Sequence, residues 1–442
     1  MANEQFTPCI ILPGIGQSKI EQLGKDGNRE KMAWPFDIDG DALMAALKAP
    51  LMKSMLFRRD CGISEKLAAF CRDLLEPVAV NPDGSMKHRL RAVKYPSLSE
   101  CSEGEKRYIY KMVPLQKLAQ TIGEERLFFF AYNSFGDIWE TAAELDEFIE
   151  RVKADTHSER VNLVAVSLGG ALSTAYLDAY GYKNNIKRIL YFVSALDGTQ
   201  LMADLMNRRV NADRALSLLS VFGAKKSEDS IDKLINMLPA DVPENVLKRL
   251  LDVLLEALLK NSVMLWATVP QNEYGALREK YLGENEALRE KTDRFHLAQK
   301  NLFGTITERM KNGTEFFSIA GYGLPLPLVE SDKISSDGVI NISSTSLGAR
   351  AAALGETLSD SACLRRCEDE THSHISPDGC IDAACGFLPE STWYFSSQQH
   401  DAMAYNDTAL EIARRVLSDD GFKNIYSDSS LPQFGQSSDN RK

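Results

Sequence analysis

Val161-Asn162-Leu163-Val164-Ala165-Val166-Ser167-Leu168-Gly169-Gly170 is the stretch on which the reading of this chain turns. Apart from Asn162, its first six residues are apolar, as in a strand buried on both faces. Ser167 follows, and then a run of small residues that predicts a helix. The residues two before and two after Ser167, Ala165 and Gly169, are both small. This is the pattern G-x-S-x-G with its first Gly replaced by Ala. A strand that turns sharply into a helix brings those two positions together, so only small side chains fit there. Such a turn lifts the Ser hydroxyl off the sheet and aims the N–H of Leu168 at an oxygen gaining negative charge.

Working outward, Pro8-Cys9-Ile10-Ile11-Leu12 reads as a short buried strand that Pro13-Gly14-Ile15-Gly16 breaks. Leu127 to Tyr132 reads as a second strand. A helix follows it, with Ile138, Leu145, Phe148, Ile149 and Val152 on one face. Ile186 to Val193, Phe316 to Ala320 and Thr392 to Phe395 supply later strands, and Thr408 to Leu417 a closing helix. Alternating strands and helices predict an α/β fold with a mostly parallel central sheet flanked by helices. Residues 1–199 form the first part of that core, with a mostly helical and irregular insertion at about 20–125. Residues 200–312 read as a helical cap or lid, 313–425 as the second part of the core, and 426–442 as a disordered tail rich in Ser, Asp, Asn and Gln.

The chain has 442 residues, 44% hydrophobic and 26% charged, enough to bury a substantial core without disulfides or metals. Lys and Arg number 51 against 62 Asp and Glu, a net charge of −11. That balance argues against general nucleic-acid binding, which needs basic patches to displace counterions. It also disfavours electrostatic adhesion to anionic lipid, leaving at most transient hydrophobic contact with a membrane. No run approaches the ~20 apolar residues of a membrane helix. No secretory signal is visible at the N-terminus, so a cytoplasmic location is expected.

A Ser hydroxyl attacks a carbonyl only when a His removes its proton and an acid fixes the His tautomer. After a turn of this kind the acid and then the His come later in the chain. That order excludes His88 and His157. His296 falls within the helical insertion, and His372 and His374 share a Cys-rich loop. His400 follows a predicted strand and precedes the last helix, in the polar loop Ser396-Ser397-Gln398-Gln399-His400-Asp401. It is the expected base. Asp337, in the Ser336-Asp337-Gly338-Val339 turn after the strand at 316–320, is the expected acid, with Asp332 its neighbouring competitor. The Gly-rich Leu12-Pro13-Gly14-Ile15-Gly16-Gln17 loop offers a second oxyanion donor, the N–H of Ile15 or Gly16.

Three segments together, Leu12 to Ser18, Phe130-Ala131-Tyr132 and Val166 to Gly170, resemble the lecithin:cholesterol acyltransferase and lipase-like branch of the α/β-hydrolases. Ser336-Asp337-Gly338-Val339 followed by Ser343-Ser344 is similar to the acid loop of bacterial true lipases. The resemblance implies a triad of Ser167, Asp337 and His400, with Ile15 and Leu168 forming the oxyanion hole. It implies an ester hydrolase acting on an apolar or lipid acyl ester with no cofactor. An O-acyltransferase and a non-catalytic binding scaffold are the alternatives. The chain departs from the branch in two places. Asn133-Ser134-Phe135 stands where Asp-Trp-Arg is usual, and Val166 stands where a His commonly precedes the nucleophile.

Two further features belong to the inventory. Leu247, Leu250, Leu251, Leu254 and Leu258 make a wide apolar face within the expected lid, fit either to cover an acyl pocket or to pack on the core. Cys363, Cys367, His372, His374, Cys380 and Cys385 crowd into one loop, but their spacing lacks the tight Cys-x2-Cys clips of most zinc sites. Thiols or disulfides are expected there, and no metal. Asp37 to Asp41 resembles the start of a calcium loop, but Lys48 stands where the bidentate Glu would be.

Overall fold

The computed structural model describes residues 6–210, 239, 241–327, 329, 331, 333–359, 363–367 and 369–436. Its strands are Cys9–Leu12 (β1), Ile20–Leu23 (β2), Arg29–Trp34 (β3), Leu90–Ala92 (β4), Leu127–Phe129 (β5), Val161–Val166 (β6), Ile186–Phe192 (β7), Glu315–Tyr322 (β8), Arg350–Ala351 (β9), Ile381–Asp382 (β10), Thr392–Ser396 (β11) and Phe434–Gln436 (β12). Seven of them form one sheet in the order β12-β11-β8-β7-β6-β1-β5, and every neighbouring pair is parallel. The apolar runs explain this. β1, β5 and β6 are buried along their whole length, which requires cover on both faces. Helices supply it. Ile138–Thr156 and Gly169–Tyr180 pack on each other and against β6, and Asp407–Ser418 packs against β7. Asn162, the polar residue of β6, donates to the carbonyl of Leu417 at 3.3 Å. The fold is that of the α/β-hydrolases.

The chain leaves β1 for the edge strand β5, then crosses back past β1 to β6 and continues outward through β7 and β8. The direction of progress therefore reverses between β1 and β6. Such a switch opens a crevice outside the C-terminal ends of the strands, where ligands of open parallel sheets bind. Leu12 is level with Ala165 in the register, so the Gly14 loop and Ser167 emerge side by side at that crevice.

The opposite end of the sheet is held by Arg188 on β7, only 1% exposed. Its Nε donates to Glu315 Oε2 at 2.6 Å, and its Nη1 to the carbonyls of Val416 at 2.5 Å and Asp419 at 2.9 Å. A buried guanidinium thus joins β7 and β8 to the free carbonyls at the end of the closing helix, where a cation is favoured.

Three regions differ from the sequence reading. The stretch expected to be mostly helical and irregular begins with an antiparallel sheet, β3-β2-β4. Glu21, Gln22, Arg29, Glu30 and Lys31 face partly or fully outward there, so no apolar run announced the strands. The Asp26-Gly27 turn joining β2 and β3, with Gly27 at φ +79°, was their one local signal. The segment expected as a lid is helical throughout its described part, but Trp266, Leu288, Phe295 and Ile306 are buried in the main core. Those helices form a wall of the core. Leu247, Leu250 and Leu251 are buried as well, on a helix (Asp241–Leu254) packed against Ile63–Leu75. Finally, the expected disordered tail carries β12, which pairs with β11 through Tyr394–Phe434. Among the described residues no helix is long and apolar enough to cross a membrane.

Arg188→Ala should cost about 3 kcal/mol of unfolding free energy, because the buried carbonyls of Val416 and Asp419 lose their donor and Glu315 loses one of its cations. Urea melts compared with the parent chain measure it, and a loss below a tenth of that would show the cluster to be dispensable.

Candidate active site

Ser167 has φ +52°, a left-handed conformation rare for any residue but Gly. Its backbone is clamped on both sides. The N–H donates to Phe192 O at 3.1 Å, and the carbonyl accepts from Gly170 N at 2.9 Å and Ala195 N at 3.0 Å. A strained residue of this kind costs about 1–3 kcal/mol and persists only where its surroundings impose it. The small neighbours are imposed too. A Cβ on Gly169 would lie 2.4 Å from Leu12 O, and one on Gly170 would lie 2.6 Å from Ser194 Cβ. Ala165 is wholly buried and is accommodated, its carbonyl accepting from Ser194 Oγ at 2.6 Å.

The loop after β1 presses against this turn, with Ser167 Cβ 3.0 Å from where a side chain on Gly14 would begin. Its N–H groups can be accounted for one by one. Gly14 donates to Gln17 Oε1 at 2.6 Å, Gly16 to Ser134 Oγ at 3.2 Å, and Gln17 to Gly14 O at 3.3 Å. The N–H of Ile15 is the one left over, and among the described residues no acceptor takes it or that of Leu168. Gly16, the alternative donor of the sequence reading, is thereby committed elsewhere.

Ser134 accepts the Gly16 N–H, which a Trp at that position could not do because indole only donates. Trp34 Nε1 donates to Gly16 O at 2.6 Å, and its ring meets Phe135 edge-on at 5.5 Å. Tyr132 OH donates to Pro13 O at 2.6 Å, and Gln17 Nε2 to Met112 O at 3.2 Å. Gln17, Trp34, Tyr132 and Ser134 therefore shape the loop. Gln17 and Tyr132 lie in the segments that carried the resemblance, whereas Trp34 and Ser134 meet the loop only through partners distant in the chain.

On the outer side of the crevice, His400 Nδ1 lies 2.7 Å from Asp337 Oδ2, across 63 residues of sequence. Asp337 Oδ1 accepts from the N–H groups of Val339 at 2.9 Å and Ile340 at 2.8 Å, and its carbonyl accepts from His400 N at 2.8 Å. The carboxylate is thus oriented by its own turn. Gly321 on β8 makes room for it, since a Cβ there would sit 2.8 Å from Asp337 Cβ. The His400 loop is anchored by Gln398, whose Oε1 accepts from Asn406 Nδ2 at 2.8 Å. The His400 imidazole is held above its usual pKa. Burial, the largest influence, pulls it down, but the charge and hydrogen bond of Asp337, with Asp401 adding, together outweigh burial.

Ser167, Asp337 and His400 all follow the C-terminal ends of parallel strands, and Asp337 and His400 are in direct contact. No hydrogen bond joins the Ser167 hydroxyl to His400 among the described residues. In proteins without substrate such links are often long. Asp332 lies outside the described residues. His296 is in the core, stacked on Tyr274 at 3.6 Å and pushed down to about 4 by burial, with its bonds to Trp266 O and Gln299 opposing. His372 and His374 belong to a separate cluster.

No protein-family model matches the chain. No curated protein matches it either. Among solved structures it is similar to the Bacillus licheniformis lipase BlEst2 in its mature form, with 12% identity and a TM-score of 0.31 over 68% of this chain and 82% of that one. It is similar to the Tle4–Tli4 complex at 11% identity and a TM-score of 0.33, over 93% and 97%. A lipase-esterase related protein from Clostridium acetobutylicum matches at 13% identity and a TM-score of 0.17, over 45% and 87%. At such identities the chemistry is argued from the side chains alone.

If His400 acts as a base, it works in its neutral form, so kcat/KM on an ester should fall on the acid side with a midpoint above the ordinary value of about 6.5. Asp337→Asn removes what raises the imidazole. The midpoint should move to lower pH and the rate should drop on the order of 10⁴-fold. An unmoved acid limb would show that Asp337 does not govern His400. Stability runs the opposite way with pH. The pair's contribution is complete below the unfolded value near 6.5 and is lost as pH rises through the raised one.

Proposed function

We propose that the chain is a serine-nucleophile carboxylic-ester hydrolase acting on an apolar acyl ester. The observation that carries this reading is the Asp337–His400 pair, at 2.7 Å with Asp337 buried, on the same rim of the sheet as the strained Ser167 turn. Ser167 Oγ attacks the ester carbonyl while His400 Nε2 takes its proton. The N–H groups of Ile15 and Leu168 hold the oxyanion, each contributing on the order of 10²–10³ in rate. As the tetrahedral intermediate collapses, His400 gives the proton to the departing alcohol. Water then attacks the acyl-enzyme, loses a proton to His400, and releases the acid as Ser167 regains its hydrogen.

The apolar character of the substrate is supported by the helix Gly40–Phe57. It buries only Leu47 and Ser54, and it presents Met44, Met52, Met55, Leu56 and Phe57 to solvent, Leu56 at 75% and Phe57 at 60% exposure. It begins six residues after Trp34, which is bonded to the oxyanion loop. In our reading this helix, rather than the segment from 241 to 311, meets the lipid interface.

Ser167→Ala, with its melting temperature unchanged, should abolish hydrolysis of p-nitrophenyl esters and labelling by a fluorophosphonate. Persistent labelling would remove Ser167 from the mechanism. For the substrate class, rates on long-chain esters should jump above their micelle concentration. Leu56→Glu with Phe57→Glu should flatten that jump and leave turnover of short soluble esters in place. A double variant with an undiminished jump would refute the role of the helix.

A further inference from the structure

We propose a structural zinc site built from Cys367, His372, His374 and Glu390, independent of the ester chemistry. One ligand atom from each of the four lies within 4.8 Å of the others. Cys367 Sγ is 3.5 Å from His372 Nδ1 and 3.6 Å from Glu390 Oε1, and His372 Nδ1 is 3.1 Å from Glu390 Oε1. A tetrahedral zinc with ordinary bond lengths separates a sulfur from a nitrogen or oxygen ligand by about 3.5 Å, and nitrogen from oxygen by about 3.3 Å. The three measured separations follow that pattern.

His374 supplies the independent observation. It is wholly buried, and its Nε2 has no hydrogen-bond partner. The tautomer of its neutral ring follows from its neighbours. Gln433 Nε2 donates to Pro389 O at 2.6 Å and Thr392 O at 3.1 Å, which fixes which end of the amide is nitrogen. Gln433 Oε1 must then accept from His374 Nδ1, 2.8 Å away. With the proton on Nδ1, the buried Nε2 carries a bare lone pair, costly unless something electropositive meets it. His372 is oriented in the same manner, its Nε2 lying 3.3 Å from Asp369 Oδ2. Partners of this type position the imidazoles of metal sites.

The remaining chemistry is consistent. Cys363 and Cys385 are joined in a disulfide, so neither competes for Cys367. On binding, the Cys367 thiol gives up its proton and coordinates as thiolate. One thiolate and one carboxylate then balance the charge of a divalent cation, and four protein ligands leave no open position for catalysis. The role is mechanical. The site ties the loop around 367–374 to Glu390, two residues before β11, and through Gln433 to the approach of β12. His400 follows the other end of β11, about 16 Å of strand away.

Full-length protein, expressed with zinc and purified without chelator, should carry close to one zinc per chain by elemental analysis. Cys367→Ser and His374→Gln should each lose it, and Cys380→Ser should keep it. After replacement by Co²⁺, the parent chain should show thiolate-to-cobalt charge-transfer absorption, and dipicolinate should lower its melting temperature until zinc is restored. The wild-type measurements stand even where a variant fails to fold. A parent chain that holds no zinc or cobalt and melts unchanged with chelator would overturn the proposal. So would a cobalt spectrum without the thiolate band, or zinc retained by Cys367→Ser.

Discussion

The close approach of Leu12 O to Gly169, where an added Cβ would lie 2.4 Å from that oxygen, is the constraint from which the rest of the site follows. β1 and β6 run as neighbours, and the helix after β6 starts directly over the end of β1. Any side chain on Gly169 would push that helix away, and with it the carbonyl and N–H contacts that hold Ser167 at φ +52°. Strain in the turn is therefore maintained by the packing of two strands and a helix, not by the Ser itself. The same closeness brings the Gly14 loop against Ser167. One backbone arrangement thus sets the Gly14 loop beside the Ser167 turn, where among the described residues the N–H groups of Ile15 and Leu168 have no acceptor.

The two ends of the sheet divide the work. At the C-terminal rim the chain accepts strained backbone, a buried imidazole and free N–H groups, each a local cost. At the N-terminal end Arg188 and Glu315 lock β7 and β8 to the closing helix with buried charge-assisted bonds. That helix begins just after His400 and is capped by Asn406, which also bonds Gln398.

The outer strands β11 and β12 are the least protected part of this scheme, since β12 is an edge of only three residues. Their support comes from the long loop before β11, which carries the Cys363–Cys385 bond and the Cys367 cluster. Gln433 links both, reading the backbone of β11 on one side and His374 on the other.

Much of the core was legible in the chain because a parallel strand buried on both faces must be an unbroken apolar run. β1 and β5 are such runs, and β6, β7, β8 and β11 are runs of the same kind interrupted by a few polar residues such as Asn162, Arg188 and Ser318. The sharp turn at Ser167 was legible because it admits only small flanking residues, and the loops of Asp337 and His400 because each holds a polar turn after such a run. The sequence could not reveal β2 and β3, whose exposed faces carry Glu, Gln, Arg and Lys, nor β12, which lies in a polar tail. It could not show that Gly16 is engaged by Ser134, leaving Ile15. Nor could it join Glu390 and Gln433 to a Cys and two His residues whose spacing alone suggested no metal. Local side-chain patterns record what an element buries. Which distant groups meet is decided only when the sheet has set every loop in place.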